Sequence, residues 1–275
     1  MMGMNNQGLT MDDVLSDLRI NKYLIGIPAI LFFSIMCAAF NYLFAEKFIK
    51  IKLDPEVISG FFQVIGTVYA VLIGLVVYDA TSRYSNAIDN VESESKAILE
   101  VFTLSNHIKS GGAGERIRQK IMSYNEEVVS NDWDISQDGT INTKARILIK
   151  EINDEILNII PATKSEEAIL PVLIQASLDV WKHRMSRFDP SNNTLPTSEW
   201  ILLISGALIT IIPGFFYFLE SRMVHSILIF ITSALITSSL YAVLMFSEPY
   251  KGDFIISKEP FIISRNIMNG MYFSE

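Results

Sequence analysis

Four separate runs of about 20 apolar residues constrain this chain more than any other feature of its sequence: 24–45, 57–78, 200–219 and 223–246. Each is long enough to cross a hydrocarbon core of roughly 30 Å at about 1.5 Å per residue. A water-soluble fold of 275 residues has no use for four such runs, and 50% of the residues are hydrophobic. The sequence therefore predicts an all-α integral membrane protein whose first solvent is the lipid bilayer.

The order of the runs sets the domain plan. Residues 1–23 read as a lead-in, with Val14, Leu15, Leu18 and Ile20 as an amphipathic stretch. Residues 24–79 hold spans one and two, 80–197 a helical domain, 198–247 spans three and four, and 248–275 a tail. Pro28 lies near the start of the first span, where a missing backbone donor costs least. The middle block reads as helices over 85–109, 115–130, 144–160 and 165–188. They are broken at residues 111–114 (Gly-Gly-Ala-Gly), in a turn-rich stretch at 131–140, and at Pro161. Pro171 predicts a kink or a later start for the last of them, and the tail reads as irregular and then extended. Strand-like alternation is scarce.

Four crossings place both termini and the helical domain on one side of the membrane. Arg19, Lys22, Arg83, Lys182, Arg184, Arg187, Lys251 and Lys258 flank the spans on that side, against Lys47, Lys50, Lys52 and Arg222 on the other. Eight against four predicts a cytoplasmic domain and cytoplasmic termini in an inner (plasma) membrane.

Several chemistries are disfavoured. Cys37 is the one cysteine and falls mid-span, so it can form no intrachain disulfide. His107, His183 and His225 have no metal-ligand spacing, and no phosphate loop or nucleophile elbow is present, which argues against an enzyme, a cofactor or a metal. The loop of Asp132, Asp134, Ser136, Asp138 and Gly139 has calcium-loop composition but the wrong spacing, with Thr143 where a bidentate Glu is required, and reads as an Asp-Gly turn. A net charge of −8 argues against nucleic acid.

The second span carries the strongest functional pattern. Residues 60–78 are apolar, and the chain then enters a charged segment with no proline or glycine break, which predicts one helix leaving the bilayer for water. Gln63, Thr67, Ala70, Gly74 and Thr81 recur at steps of three, four or seven and share a face. Such a stripe suits close helix packing or the wall of a water-filled path. Beyond it, Asp79, Asp89, Glu92 and Glu94 form an acidic series. On a monomer this is a solvated face; repeated around an axis it becomes rings of negative charge that concentrate cations.

The end of the fourth span supplies a resemblance. Glu248, Pro249, Tyr250 and Gly252, followed by Ser257, Pro260 and Phe261, resemble the closing pattern of the bestrophin-like family, once catalogued as a domain of unknown function (DUF4239). The glycine-containing second span, the Arg83–Tyr84 pair and the two-spans, domain, two-spans plan are similar to that family as well. True bestrophins are more distantly similar; their second span lines a pentameric pore and runs on into a cytoplasmic helix. The resemblance implies a homo-oligomer, a pentamer among its options, that conducts ions around a shared axis. Gln63, Thr67, Ala70, Gly74 and Tyr78 would line the pore, and Asp79, Asp89 and Glu92 its cytoplasmic vestibule, with a lean toward cations. The alternative from another class is a membrane-anchored helical sensor or interaction module through which no ions move.

Overall fold

The structure, a computed structural model, describes residues 22–48, 55–133, 142–189, 194–216, 221–247, 249–250 and 255–272. Among these residues no strand occurs. Eight α-helices follow in order: α1 (Lys22–Phe48), α2 (Pro55–Ser105), α3 (Ala113–Glu127), α4 (Thr143–Leu157), α5 (Lys164–Phe188), α6 (Thr197–Gly214), α7 (Arg222–Phe246) and α8 (Glu259–Tyr272). Four of them are long and apolar enough to cross a membrane: α1, the first part of α2, α6 and α7. The chain divides into two compact units, residues 1–80 with 196–246, and residues 81–195 with 247–275.

In the membrane unit α1 packs along α7. Tyr69 of α2 packs with Ala207, Ile211 and Ile236 from α6 and α7, and its hydroxyl donates to the Leu203 carbonyl at 3.2 Å. Gly206 permits this approach: a Cβ there would lie 2.6 Å from carbons of the Tyr69 ring. Small residues let helices close up in lipid, where no hydrophobic force draws them together.

The second unit is a helical domain around a conventional hydrophobic core. Ala87, Val91, Ile98, Val101 and Phe102 from α2 meet Ile117, Ile121 and Tyr124 from α3. Further partners are Ile149, Ile152 and Ile156 from α4, and Leu173, Ala176 and Val180 from α5. Burying each of the larger of these contributes about 1.5–3 kcal/mol. Local signals set the ends of the helices. The Asn142 side chain accepts from the backbone N–H of Lys144 at 2.9 Å and so caps α4, and Thr163 caps α5 through the N–H of Glu166 at 3.2 Å. The turn before α3 uses Gly111 and Gly112, both at positive φ (57° and 69°), which a side chain would resist.

Several expectations change. The helix read over 85–109 is the continuation of the second span in α2 and ends four residues early, at Ser105. Gly114, read as part of the breaker, lies inside α3. Helix α5 starts at Lys164 and holds Pro171 within it, so no later start occurs. The tail, read as extended, contains α8. Its start is a short helix signal: Ser257 Oγ accepts from the N–H of Glu259 at 3.1 Å, and Pro260 occupies the first turn, where a proline's missing donor is not needed. The lead-in residues before Lys22, most of the first loop, residues 134–141 with Asp134, Ser136, Asp138 and Gly139, Glu220, Glu248, Lys251 and Gly252 lie outside the described residues.

Candidate functional site

Helix geometry divides the membrane part of α2 into three strips. Stepping about 100° per residue, Gly60, Gln63, Thr67, Ala70, Gly74 and Tyr78 fall within an arc of about 80°. Phe61, Val64, Val68, Val71 and Leu75 fill the next arc of similar width. Phe62, Ile65, Tyr69, Leu72, Ile73 and Val76 share the remaining side and are buried or half-buried against the unit's own helices. Both other arcs are exposed in the protomer. Tyr78 is 73% exposed, and nothing comes within 4 Å of a Cβ built on Gly60 or Gly74. The five expected pore-lining residues therefore stand together on a face that the protomer leaves uncovered. Thr67 Oγ1 donates to the carbonyl of Gln63 at 2.7 Å, so the hydroxyl turns its lone pairs, not its proton, outward.

The acidic series divides. Asp89 and Glu92 are exposed on α2, and Asp79 is half-buried. Glu92 holds Lys96 at 3.0 Å, a pair in which both side chains are largely solvated. Such a pair contributes a few tenths of a kcal/mol at most, about 0.5, but the Lys96 charge offsets the one that Glu92 would bring to a vestibule. Glu94 departs from the expectation. It is fully buried, because it steps in register with Ala87, Val91, Ile98 and Phe102 toward the domain core and not with the solvated residues.

Around Glu94 the domain builds an ion cluster that the sequence reading missed. Arg187 of α5 donates Nε to Glu94 Oε2 and Nη2 to Oε1, each at 3.1 Å, and Nη2 also reaches Asp132 Oδ2 at 3.0 Å. Arg184, one turn earlier, holds the two carboxylate oxygens of Asp132 at 2.6 and 2.9 Å. Tyr124 donates its hydroxyl to Glu94 Oε1 at 2.7 Å. The side chains of both arginines and both acids have zero exposure. Two positive and two negative charges balance, the condition under which buried ions are tolerated. Asp132, expected in a loop, ends a π turn over Val128–Asp132 that prolongs α3 and carries the carboxylate inward. Burial works against the charge of Arg187, but Glu94 and Asp132 outweigh it and push the guanidinium above its ordinary range. Burial, reinforced by Glu94, holds the Tyr124 phenol far above its ordinary value.

A domain model for the bestrophin-like domain matches residues 27–261. The chain belongs to the bestrophin-like family. Two point-substituted forms of a bacterial bestrophin homologue from Klebsiella pneumoniae share its fold, each with a TM-score of 0.69 and 11% identity. One alignment covers 90% of this chain and 98% of the homologue, the other 89% and 98%. A third solved chain, described as a membrane protein, gives a TM-score of 0.67 at 11% identity over 91% of this chain and 98% of its own. No curated protein matches this sequence.

The bestrophin-like motif residues that the structure describes have packing roles. Tyr84 packs against the domain core, and Arg83 is half-buried. Pro249 and Tyr250 are buried. The Tyr250 hydroxyl donates to the Ala87 carbonyl at 3.2 Å, while the Pro249 carbonyl accepts from Ile256 N–H at 3.0 Å. Phe261, with zero exposure, stands 5.8 Å, ring to ring, from Trp133. Trp133 in turn lies under the Arg187 guanidinium at 5.4 Å. The closing motif of this bestrophin-like chain thus ties the tail over the ion cluster. Arg184 and Arg187, counted among the charges flanking the spans, are consumed inside the domain. His225, near the start of α7, is buried with Nε2 2.9 Å from the Gly214 carbonyl. Among the described residues no group of three potential metal ligands occurs.

Proposed function

We propose that this bestrophin-like chain is the subunit of a homo-oligomeric ion channel whose pore is walled by the second span. The carrying observation is the exposed arc of α2, where Gln63, Thr67, Ala70, Gly74 and Tyr78 share one face and are each exposed in the protomer, Gln63 also edging a recess against α6 and α7. A face with an amide, a hydroxyl and two residues no larger than alanine, set beside an arc of valine and leucine, fits two environments. The aliphatic arc suits a neighbouring subunit or lipid, and the smaller, more polar arc suits water. A single protomer offers no second wall for that water, so the path lies between copies around an axis.

Cation preference follows from the same atoms. Thr67 presents acceptor lone pairs, and Asp79 and Asp89 place carboxylates where the helix leaves the apolar stretch. Rings of acceptors and carboxylates favour cations, with Glu92 contributing less because Lys96 accompanies it. The helical domain and termini are assigned to the cytoplasmic side of an inner membrane, and the reaction is passage of ions, not catalysis.

Purified protein in liposomes should pass small cations in preference to chloride, and Gly74→Phe or Thr67→Trp should cut that flux at least tenfold. Flux that survives both substitutions removes α2 as the wall. Mass measurement in detergent should give a ring of four or five copies; a monomer would leave the anchored sensor or interaction module as the better reading.

A further inference from the structure

A cavity of about 370 Å³ lies within the membrane unit, bounded by α2, α6 and α7. Phe62, Ile211, Leu228 and Ile229 give it hydrocarbon walls, and Gln63 and His225 are among the polar residues at its boundary. Its size falls in the range of small-molecule sites, roughly 300–1,000 Å³, and corresponds to about a dozen water-sized groups. Gaps of this size inside a packed unit are uncommon.

His225 indicates what the cavity holds. The side chain is more than nine-tenths buried, and Nε2 stands 2.9 Å from the carbonyl oxygen of Gly214. A carbonyl can only accept, so Nε2 carries the proton, and in the Nε2-protonated tautomer Nδ1 is an acceptor. Among the described residues nothing donates to that Nδ1, and it is not one of the enclosed orphan atoms such as Asn41 Oδ1. His225 is one of the residues that line the cavity. The hydroxyl nearest in kind, Thr210 Oγ1, already donates to the Gly206 carbonyl at 2.8 Å. An acceptor in a mostly apolar chamber calls for one donor attached to hydrocarbon. Water is the competing occupant, with Ser59, Gln63, Thr210 and Thr232 also on the wall, and the test below separates the two.

We propose that this cavity binds a single-chain amphiphile with a hydroxyl head, drawn from the bilayer. Its O–H donates to His225 Nδ1, and its chain lies between Phe62, Ile211 and Leu228. The site lies within one protomer and needs no axis, and Gln63 at its edge also belongs to the exposed arc of α2.

The test uses the full chain in phosphatidylcholine nanodiscs with a diazirine-bearing decanol as photoprobe, followed by peptide mapping. Labels should fall on the segments around Phe62 and Leu228. Decanol should displace the probe about fivefold better than decyl methyl ether, which has the same chain and oxygen but no proton to donate; that factor is the usual net value of one hydrogen bond. His225→Phe should erase the difference between the two competitors, and Leu228→Trp should fill the cavity and abolish the labels. Competition by alcohol and ether to equal extents in the unsubstituted protein overturns the proposal. So does an absence of label at these segments, the result expected if a second copy's helix or water occupies the space. The competitor comparison requires no variant, so misfolding of either substitution cannot shield the idea.

Discussion

Replacing Glu94 by glutamine removes one negative charge from the buried cluster and turns the oxygen that accepts from Arg187 Nε at 3.1 Å into an N–H donor. The amide oxygen can still accept from Tyr124, whose hydroxyl lies 2.7 Å from Oε1, and the side-chain volume is unchanged. The balance changes as well: two guanidiniums then face a single carboxylate, Asp132, inside a site with zero exposure. Losing one partner of a buried pair costs about 3–5 kcal/mol. For a domain of this size about 2–4 °C accompanies each kcal/mol, so the unfolding temperature should fall by about 6–20 °C.

The double variant separates charge balance from the loss of individual bonds. Arg187→Met alone leaves the cluster one charge too negative and should cost a similar amount. Combining it with Glu94→Gln removes one charge of each sign and leaves the Arg184–Asp132 pair, held at 2.6 and 2.9 Å, neutral in itself. The double variant should therefore be more stable than the sum of the singles predicts by about 3 kcal/mol, a coupling at the upper end for neighbouring residues. Unfolding of the full-length protein in detergent, followed by tryptophan fluorescence, reports the site directly, because Trp133 lies 5.4 Å from the Arg187 guanidinium carbon. An unchanged melting temperature for Glu94→Gln, or losses that simply add in the double variant, would refute the electrostatic account.

Three further outcomes follow from the packing. Phe261→Ala should cost about 3–5 kcal/mol and release α8, since Phe261 has zero exposure and packs on Trp133; limited proteolysis should then cut the tail first, and an uncut tail would deny α8 its anchoring role. Gly206→Ala should destabilise the membrane unit by about 1–3 kcal/mol, because the new Cβ meets the Tyr69 ring at 2.6 Å; unfolding in mixed detergent–dodecyl sulfate micelles measures it, and no loss would mean that the ring moves aside freely. Glu166 accepts from Ser110 Oγ and from the backbone N–H groups of Ala162, Lys109 and Ser110. These bonds, with the Ser110 hydroxyl foremost, hold the carboxyl at about 2, below its ordinary 4.5. A depressed acid stabilises the fold above its unfolded value and loses that contribution as pH falls toward the folded one. Glu166→Gln should therefore melt below the unsubstituted protein at pH 7, with the gap closing between pH 4.5 and 2; a gap that ignores pH would contradict the assignment.

The membrane plan is legible in the sequence because lipid leaves few options. A spanning segment must be a helix, and its length is set by the bilayer, so composition alone locates α1, α6 and α7 to within a few residues. The uncovered arc of α2 is legible for a related reason: on a helix that must be apolar almost throughout, Gln63, Thr67 and Gly74 stand out at three- and four-residue steps. In the aqueous domain a charged residue is by default a surface residue, and so Glu94, Asp132, Arg184 and Arg187 read as solvated, separated as they are by 38 to 52 residues except where two share a helix. The tail helix is less legible: Ser257 and Pro260 have the composition of a helix start, but the same residues fit an irregular proline-broken tail equally well.

Register held the missing information. On α5 the buried residues Leu173, Ala176, Ser177 and Val180 step onward by fours and threes to Arg184 and Arg187. On α2 the steps from Ala87 and Val91 reach Glu94 before Ile98 and Phe102. On α3 Ile117, Ile121, Tyr124 and Val128 lead to Asp132. A single ion in core register is costly enough to be improbable; two of each sign, on three helices that share one core, are mutually explanatory. The same criterion acts in reverse on Asp89 and Glu92. They fall off the core register of α2 and are exposed, Glu92 in a solvated pair with Lys96, so the packing of the core does not depend on their charge.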